Sequence, residues 1–432
     1  MMNNLHKKQN THRLPTAPAG LALALLMCFQ AAPAHAQEGT LTLSAALRQA
    51  QAGALSAQTA QARVGSAEAL ARAARAPLTP SVTLSASPGI QAPLGSAPGV
   101  ALTGNVTGSQ LLYDGGGLKA ASQVAETGAQ LASVSAEQAA EDAMLTAGVA
   151  YFQVTRAAAL VDVARAGVQQ AKEHLRLGNM RQRAGTATRA EILQLQARLA
   201  NAQDTLLQNQ NALAIARLNL DVALNMELGD RPLDASASVA LTPVEAKGSD
   251  AEALARRQDV RTQALRIEQD VQRASFEGAG RRPSISAVGR VGPQTAGPAS
   301  AFAGVSLSWN AWDGGRADAR RQAAEADEAA DRLQADQIAQ VARLDIRQQR
   351  LTRDQATTRL QSARQALTAA DEALRIARHR YELGLSTSIE LTDIEATRTQ
   401  AAVNLAQAGA DYQIATLRLR RALALPMVAA AP

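Results

Sequence analysis

From Arg316 to Glu382 the chain runs 67 residues without a proline or a glycine, the two residues that most readily interrupt a helix. As one helix this stretch is about 100 Å long at about 1.5 Å per residue. No compact core is that deep, so such a helix requires other helices alongside it. Its later half supplies a seam for one. Leu360, Ala363, Leu367, Ala370, Leu374, Ala377 and Tyr381 follow in steps of three and four, the spacing of a coiled coil. Then comes Leu383-Gly384-Leu385-Ser386-Thr387-Ser388, where Gly384 suits a left-handed helix end and the hydroxyls suit a new N-cap. The chain is expected to reverse there and return as a helix from Glu390 towards Leu425.

The same plan stands earlier in the sequence. Asp114-Gly115-Gly116 precedes Asp313-Gly314-Gly315 by 199 positions (313 − 114), and Gly185 precedes Gly384 by 199 (384 − 185). Gln123, Glu126, Glu173, Leu175, Arg181 and Glu191 recur at that offset as Gln322, Glu325, Glu372, Leu374, Arg380 and Glu390. A register held over so many positions is an internal duplication. The expected division is a first repeat over 37–226, a linker over 227–250, a second repeat over 251–425 and a tail over 426–432.

Each repeat opens on an Ala-rich helical segment, Leu41 to Ala76 and Ala251 to Phe276, that stops before a proline. Between Pro80 and Asp114, and between Pro283 and Asp313, the period changes to two. Val82, Leu84 and Ala86 alternate with Ser81, Thr83, Ser85 and Ser87, and a Gly/Pro-rich loop is expected from Pro88 to Gly99 before a second strand ending at Tyr113. In the second repeat Val305, Leu307, Trp309 and Ala311 alternate with Gly304, Ser306, Ser308 and Asn310. One face is apolar and the other small and polar, yet no segment offers the bulky layer on which a water-soluble sheet would pack. Four strands cannot close a transmembrane barrel, for which about eight is the minimum, so several chains must share one.

Residues 1–36 read as a secretory signal peptide: Lys7, Lys8 and Arg13, an apolar run from Leu21 to Phe29, then Ala34-His35-Ala36 as a cleavage pattern. Cys28 follows Met27, a poor fit to a lipoprotein box. Removing this segment takes the formal net charge from +6 to +3 (6 − 3) and removes the only cysteine, which excludes disulfides and thiolate metal sites. With 2% aromatic residues and charges of both signs scattered along the helices, nucleic-acid binding has no support. His174 and His379 have no Cys or nearby His at ligand spacing, so neither an enzyme, a metal site nor a cofactor is expected. No later run offers the roughly 18 uninterrupted apolar residues of a membrane-spanning helix.

In this order, twice, the Pro-Ser-Val/Ile strand starts, Leu112-Tyr113-Asp114-Gly115-Gly116 with Ala311-Trp312-Asp313-Gly314-Gly315, and Arg380-Tyr381-x-x-Gly384 resemble the outer-membrane efflux protein family, the TolC-like export ducts. The family pattern Arg-Pro-Asp is replaced here by Arg257-Gln258-Asp259. The resemblance implies a mainly α chain of duplicated helical hairpins forming a coiled-coil tunnel, with four strands per chain in a twelve-stranded outer-membrane barrel shared by a homotrimer. It implies a passive exit duct of a tripartite efflux pump that expels small molecules, with a periplasmic adaptor and an inner-membrane transporter as partners. A type I secretion duct for polypeptides shares the architecture; a periplasmic coiled-coil protein without a pore would share only the helices.

Several residues take roles on this reading. Asp114 with Gly115 and Asp313 with Gly314 form the strand-to-helix turns, the carboxylates capping the long helices. Tyr113, Trp309 and Trp312 stand at strand ends, where an aromatic girdle meets the membrane surface. Gly185, Thr186, Gly384, Leu385 and Ser386 form the tips, which the resemblance implies contact the adaptor; the apolar Leu385 on a turn is what a plain reversal does not require. Glu390 and Asp393 lie three apart on one helix face, with Glu191 equivalent to Glu390 and the uncharged Gln194 equivalent to Asp393. The resemblance implies that they form acidic rings at a periplasmic gate and that Tyr381 holds neighbouring helices shut, while Ser386 stands where well-known members carry Arg.

Overall fold

The computed structural model describes residues 39–91, 99–234, 236, 250–294, 297–383 and 385–427. The leader, Gly384, most of the linker and the tail beyond Met427 lie outside them. The described elements are α1 (Leu43–Gly53), α2 (Leu55–Arg75), β1 (Ser81–Gln91), β2 (Gly99–Tyr113), α3 (Gly117–Arg183) and α4 (Arg189–Leu224). After the linker come α5 (Asp250–Arg256), α6 (Gln258–Ala279), β3 (Ser284–Gln294), β4 (Gly297–Ser308), α7 (Arg316–Glu382) and α8 (Ser388–Ala422). α3 and α7 are both 67 residues long.

The segments expected as single helices at the start of each repeat are each two. α1 and α2 part at Ala54, just after Gly53, where the backbone is extended (φ −63°, ψ 132°). The carbonyl freed on Gly53 is taken by the Asn225 amide, 3.2 Å away at the end of α4, and by Gln58 at 3.3 Å. α5 and α6 part at Arg257, and α6 runs on to Ala279. The Arg257 guanidinium, largely buried, pairs with Asp259 and Asp345, each at 2.8 Å, and donates to the Ala422 carbonyl at 3.2 Å.

These two corners lie where the long helices change partners. α3 packs against α2 and α6 over one half of its length and against α4 and α8 over the other; α7 packs against α6, then α8. At the change, Tyr151 of α3 is fully buried among Ala46 and Ala50 of α1, Leu220 and Leu224 of α4 and Leu417 of α8. Each buried leucine there is worth about 1.5–3 kcal/mol of transfer. The Tyr151 hydroxyl donates to the carbonyls of Leu41 (2.9 Å) and Asp234 (3.0 Å), which belong to a short parallel bridge between Leu41 and Leu233. Burial, with the Asp234 charge, pushes its pKa up to about 12, so it stays a donor. Gly148 lets α8 approach: a Cβ there would lie 2.6 Å from Leu417 Cδ1. One 18-residue window of α3 is apolar enough for a membrane span, and half of it is buried within the chain, as suits the central helix.

The sheet is antiparallel throughout, in the order β1-β2-β3-β4. β1 continues through Pro88 to Gln91, where a loop was expected, because an edge strand tolerates a residue that cannot donate outward. β4 ends at Ser308, not at Ala311: Ser308 pairs with Ser284, and Pro283 before it has no N–H to continue the ladder. Leu84, Val106 and Val291 form one row on an exposed apolar face. Ser81 and Ser109 (2.8 Å), and Ser85 and Asn105 (2.6 Å), join hydroxyl and amide groups across the other.

Tyr151→Phe removes the hydroxyl that serves the Leu41 and Asp234 carbonyls without changing shape; the Leu41 carbonyl keeps the Asp234 N–H, and the loss expected is about 0.5–1.5 kcal/mol. Thermal or denaturant unfolding of the detergent-purified protein reads this; equal stability would show that water satisfies the carbonyls.

Candidate functional site

Both long helices start from the same device. Gly115 and Gly116 have φ of +71° and +91°, and Gly314 and Gly315 of +71° and +85°, a region that residues with a Cβ rarely enter. The N-cap positions are Gly116 and Gly315, so the aspartates act from two residues outside. Asp313 accepts from the N–H groups of Gly315 (3.0 Å) and Ala317 (2.9 Å), and Asp114 from those of Gly116 (3.0 Å) and Leu118. The bond from Ala317, with that from Gly315, holds the Asp313 carboxyl below the usual range. The second repeat braces the first, since Arg282 donates to the Gly115 carbonyl at 2.7 Å. Tyr113 ends β2; Trp309 lies one residue past β4 and its indole N–H donates to the Arg281 carbonyl at 3.2 Å. Trp312 is 86% exposed.

Some 67 residues further on, the two tips repeat a second device. Gly185 has φ +73°, and the N–H and hydroxyl of Thr186 both donate to the Arg181 carbonyl, at 2.9 and 3.1 Å. Thr188 caps α4 by accepting from the Glu191 N–H at 3.3 Å; Thr387 caps α8 by accepting from the Glu390 N–H at 3.2 Å. At the second tip the Leu385 N–H donates to the Arg380 carbonyl at 2.8 Å. Leu385 is 65% exposed, and Met180, Leu193, Leu383 and Ile389 around the tips are exposed as well. The Ser386 hydroxyl is buried without a hydrogen-bond partner among the described residues.

The hairpins α3–α4 and α7–α8 are tied together just above these tips. The Arg181 guanidinium lies 5.1 Å from the centre of the Tyr381 ring, and Glu191 lines the same groove. Higher up, His174 Nε2 stands 2.7 Å from the Glu395 carboxylate, itself nearly buried, which Arg378 also approaches at 3.6 Å. His174 and Glu395 are 221 positions apart, so no local spacing could reveal the pair. His379 is exposed. Glu390 is drawn to Arg380 at 3.6 Å, whereas the exposed Asp393 carboxylate has no ion-pair partner among the described residues. Thus Tyr381 and Glu191 share a groove, while Glu390 and Asp393 differ in how far their charge is balanced.

Helices of this length continuing from a sheet with one exposed apolar face define a class, the outer-membrane channels with a helical tunnel. Residues 46–226 and 251–425 match the model of the outer membrane efflux protein family, and the chain belongs to it. It is accordingly a protein of the outer membrane, with the helical tunnel in the periplasm. Among solved structures, CusC is 17% identical over 88% of this chain and 91% of its own, with a TM-score of 0.77. VceC of Vibrio cholerae is 21% identical over 88% and 95%, at 0.72, and the open MtrE channel of Neisseria gonorrhoeae 20% over 89% and 89%, at 0.77. At these identities the likeness is one of fold. A comparison with curated proteins gave no match.

Glu395→Gln removes the charge that joins the hairpins through His174, and that pairs with Arg378 within the second hairpin, while keeping the shape. Hydrogen exchange over residues 174–192 should speed up by an amount equivalent to about 1–3 kcal/mol, the range for charged hydrogen bonds. Unchanged protection would show that the tie does not hold the hairpins.

Proposed function

We propose that three copies form the exit duct of a tripartite efflux pump, a passive conduit for small molecules driven by an inner-membrane transporter through a periplasmic adaptor. The observation that carries this is the pair of unpartnered edges. β1 and β4 each have one strand neighbour among the described residues. In hydrocarbon, unpaired N–H and C=O groups cost several kcal/mol each, so the edges must meet other copies. Ile215, Leu218 and Val222 form an exposed stripe on α4, and Val341, Leu344 and Leu351 another on α7, the two helices at opposite margins of the helical layer. Margin meeting margin is a head-to-tail contact, which closes into a ring. Two copies would give about eight strands, a barrel filled by its own side chains; three give about twelve and leave a lumen.

The exposed apolar residues at the tips supply an adaptor surface, and the groups above them supply a gate. Arg380 offsets the charge of Glu390, so Asp393 is the carboxylate that leaves the entrance negative, favouring cations there. The Arg181–Tyr381 contact holds the two hairpins of one chain together in the closed arrangement. The efflux name of the family favours small molecules over polypeptides.

Fractionation should recover a detergent-dependent trimer from the outer membrane, and Leu385→Asp should abolish export while leaving trimer and insertion intact. A soluble protein would defeat the duct; normal export by Leu385→Asp would defeat the docking assignment. For the gate, single-channel recording should show Asp393→Ala lowering cation preference and trivalent-cation block more than Glu390→Ala does. Equal and negligible effects would remove both residues from the entrance.

A further inference from the structure

Between Ser81 and Tyr113, and between Ser284 and Ser308, the sequence holds one charged residue, Arg290. Register places it in a single row with Thr83, Thr107 and Phe302 across all four strands. Residues paired in this way share a face of the sheet. It is the hydroxyl face of Ser81, Ser85 and Asn105, opposite the apolar face of Leu84, Val106 and Val291. A guanidinium on a lipid-facing position costs about 2–4 kcal/mol near the bilayer centre, so the hydroxyl face is the one that can hold it. Arg290 lies exposed there, six residues along β3 from Ser284, about 20 Å at about 3.3 Å per residue.

Phe302, its direct partner, is anomalous in the opposite sense. Its ring is 62% exposed on a face made mostly of small polar groups. The ring lies along the strand against Gly304, where a Cβ would come within 2.8 Å of its Cζ. Gly304 pairs with Val288, so the ring and Val288 make a small apolar shelf beside the cation. A guanidinium with no carboxylate on any strand, next to an exposed apolar shelf, matches a ligand with an anionic head and an apolar body.

We propose that Arg290 and Phe302 form a binding step for amphipathic organic anions on the wall of the barrel lumen. The proposal rests on the three-copy duct, which sets three such pairs at one height. Three guanidinium groups facing one lumen concentrate anions there, and the aromatic shelf discriminates among them by apolar area. Arg290 therefore sets charge selectivity, and Phe302 the preference for an apolar body.

The test is current through purified trimers in planar bilayers, with 1-naphthoate or acetate added on the extracellular side. In the wild type, naphthoate interrupts the current and acetate at the same concentration does not. Arg290→Ser loses the block and shifts the chloride-to-potassium permeability ratio towards potassium, while Arg290→Lys keeps the wild-type ratio. Phe302→Ser weakens naphthoate block by about tenfold, a loss of about 1.4 kcal/mol, and leaves the ratio unchanged. Normal conductance shows that each variant has folded. Block and ratio unchanged in Arg290→Ser channels of normal conductance overturn the proposal and leave the duct standing. Absence of pores from the wild type overturns the duct and this proposal with it.

Discussion

A helix about 100 Å long cannot be covered by one neighbour, because the helices that return beside it are about half that length. α3 and α7, each of 67 residues, therefore exchange partners midway, and helix ends must meet at the exchange. Helix ends release carbonyls, and burial there demands donors. The chain supplies them from its own side chains, Asn225 to Gly53 and Arg257 to Ala422, while Tyr151 serves the neighbouring non-helical carbonyls of Leu41 and Asp234. The first repeat uses a neutral phenol in an apolar core. The second uses a cation that brings two carboxylates, Asp259 and Asp345, with it.

The same need for length explains the small side chains. Long helices packed side by side tolerate only small steps between axes, so alanines such as Ala147, Ala342, Ala363, Ala370 and Ala377 occupy buried positions on α3 and α7. Gly178 carries this furthest near the first tip, where a Cβ would lie 2.5 Å from Leu195 of α4; its equivalent 199 positions on (178 + 199) is the buried Ala377. Bulk is moved to the margins instead, to Leu218, Val222, Val341 and Leu344, which stay exposed among the described residues.

Features set by local chemistry were legible in the sequence. Asp-Gly-Gly and the absence of Pro and Gly bounded α7 from Arg316 to Glu382, and alternation assigned the sheet faces residue by residue. What escaped depends on distant groups. Gly53 before Ala54 permits a break but does not require one, and the residue that takes the freed carbonyl, Asn225, is 172 positions away. Pro88 within β1 reads as a turn residue, yet it keeps its register with Leu102 of β2. His174 looked isolated because its partner, Glu395, belongs to the other repeat. The pairing of Arg290 with Phe302 is likewise visible only once the strand register is known.

On the proposed duct, the two kinds of charged group are held in contrasting ways. At the tips, Arg380–Glu390 is a solvent-exposed pair of the sort worth about 0–1 kcal/mol, and Arg181 over Tyr381 adds about as much. Of the two, Arg181 over Tyr381 crosses between the hairpins, and a tie this weak suits a gate, because an adaptor seated on the exposed leucines has to supply only a few kcal/mol to part them. His174–Glu395 is better sheltered and sits further from the tips, so it resists separation more and sets how far up the opening can travel. Arg290 has no such freedom. Its strand is paired on both sides within the sheet, and its charge stays at one height whether the tips are open or closed. Opening can then be regulated at one end without altering what the other end admits.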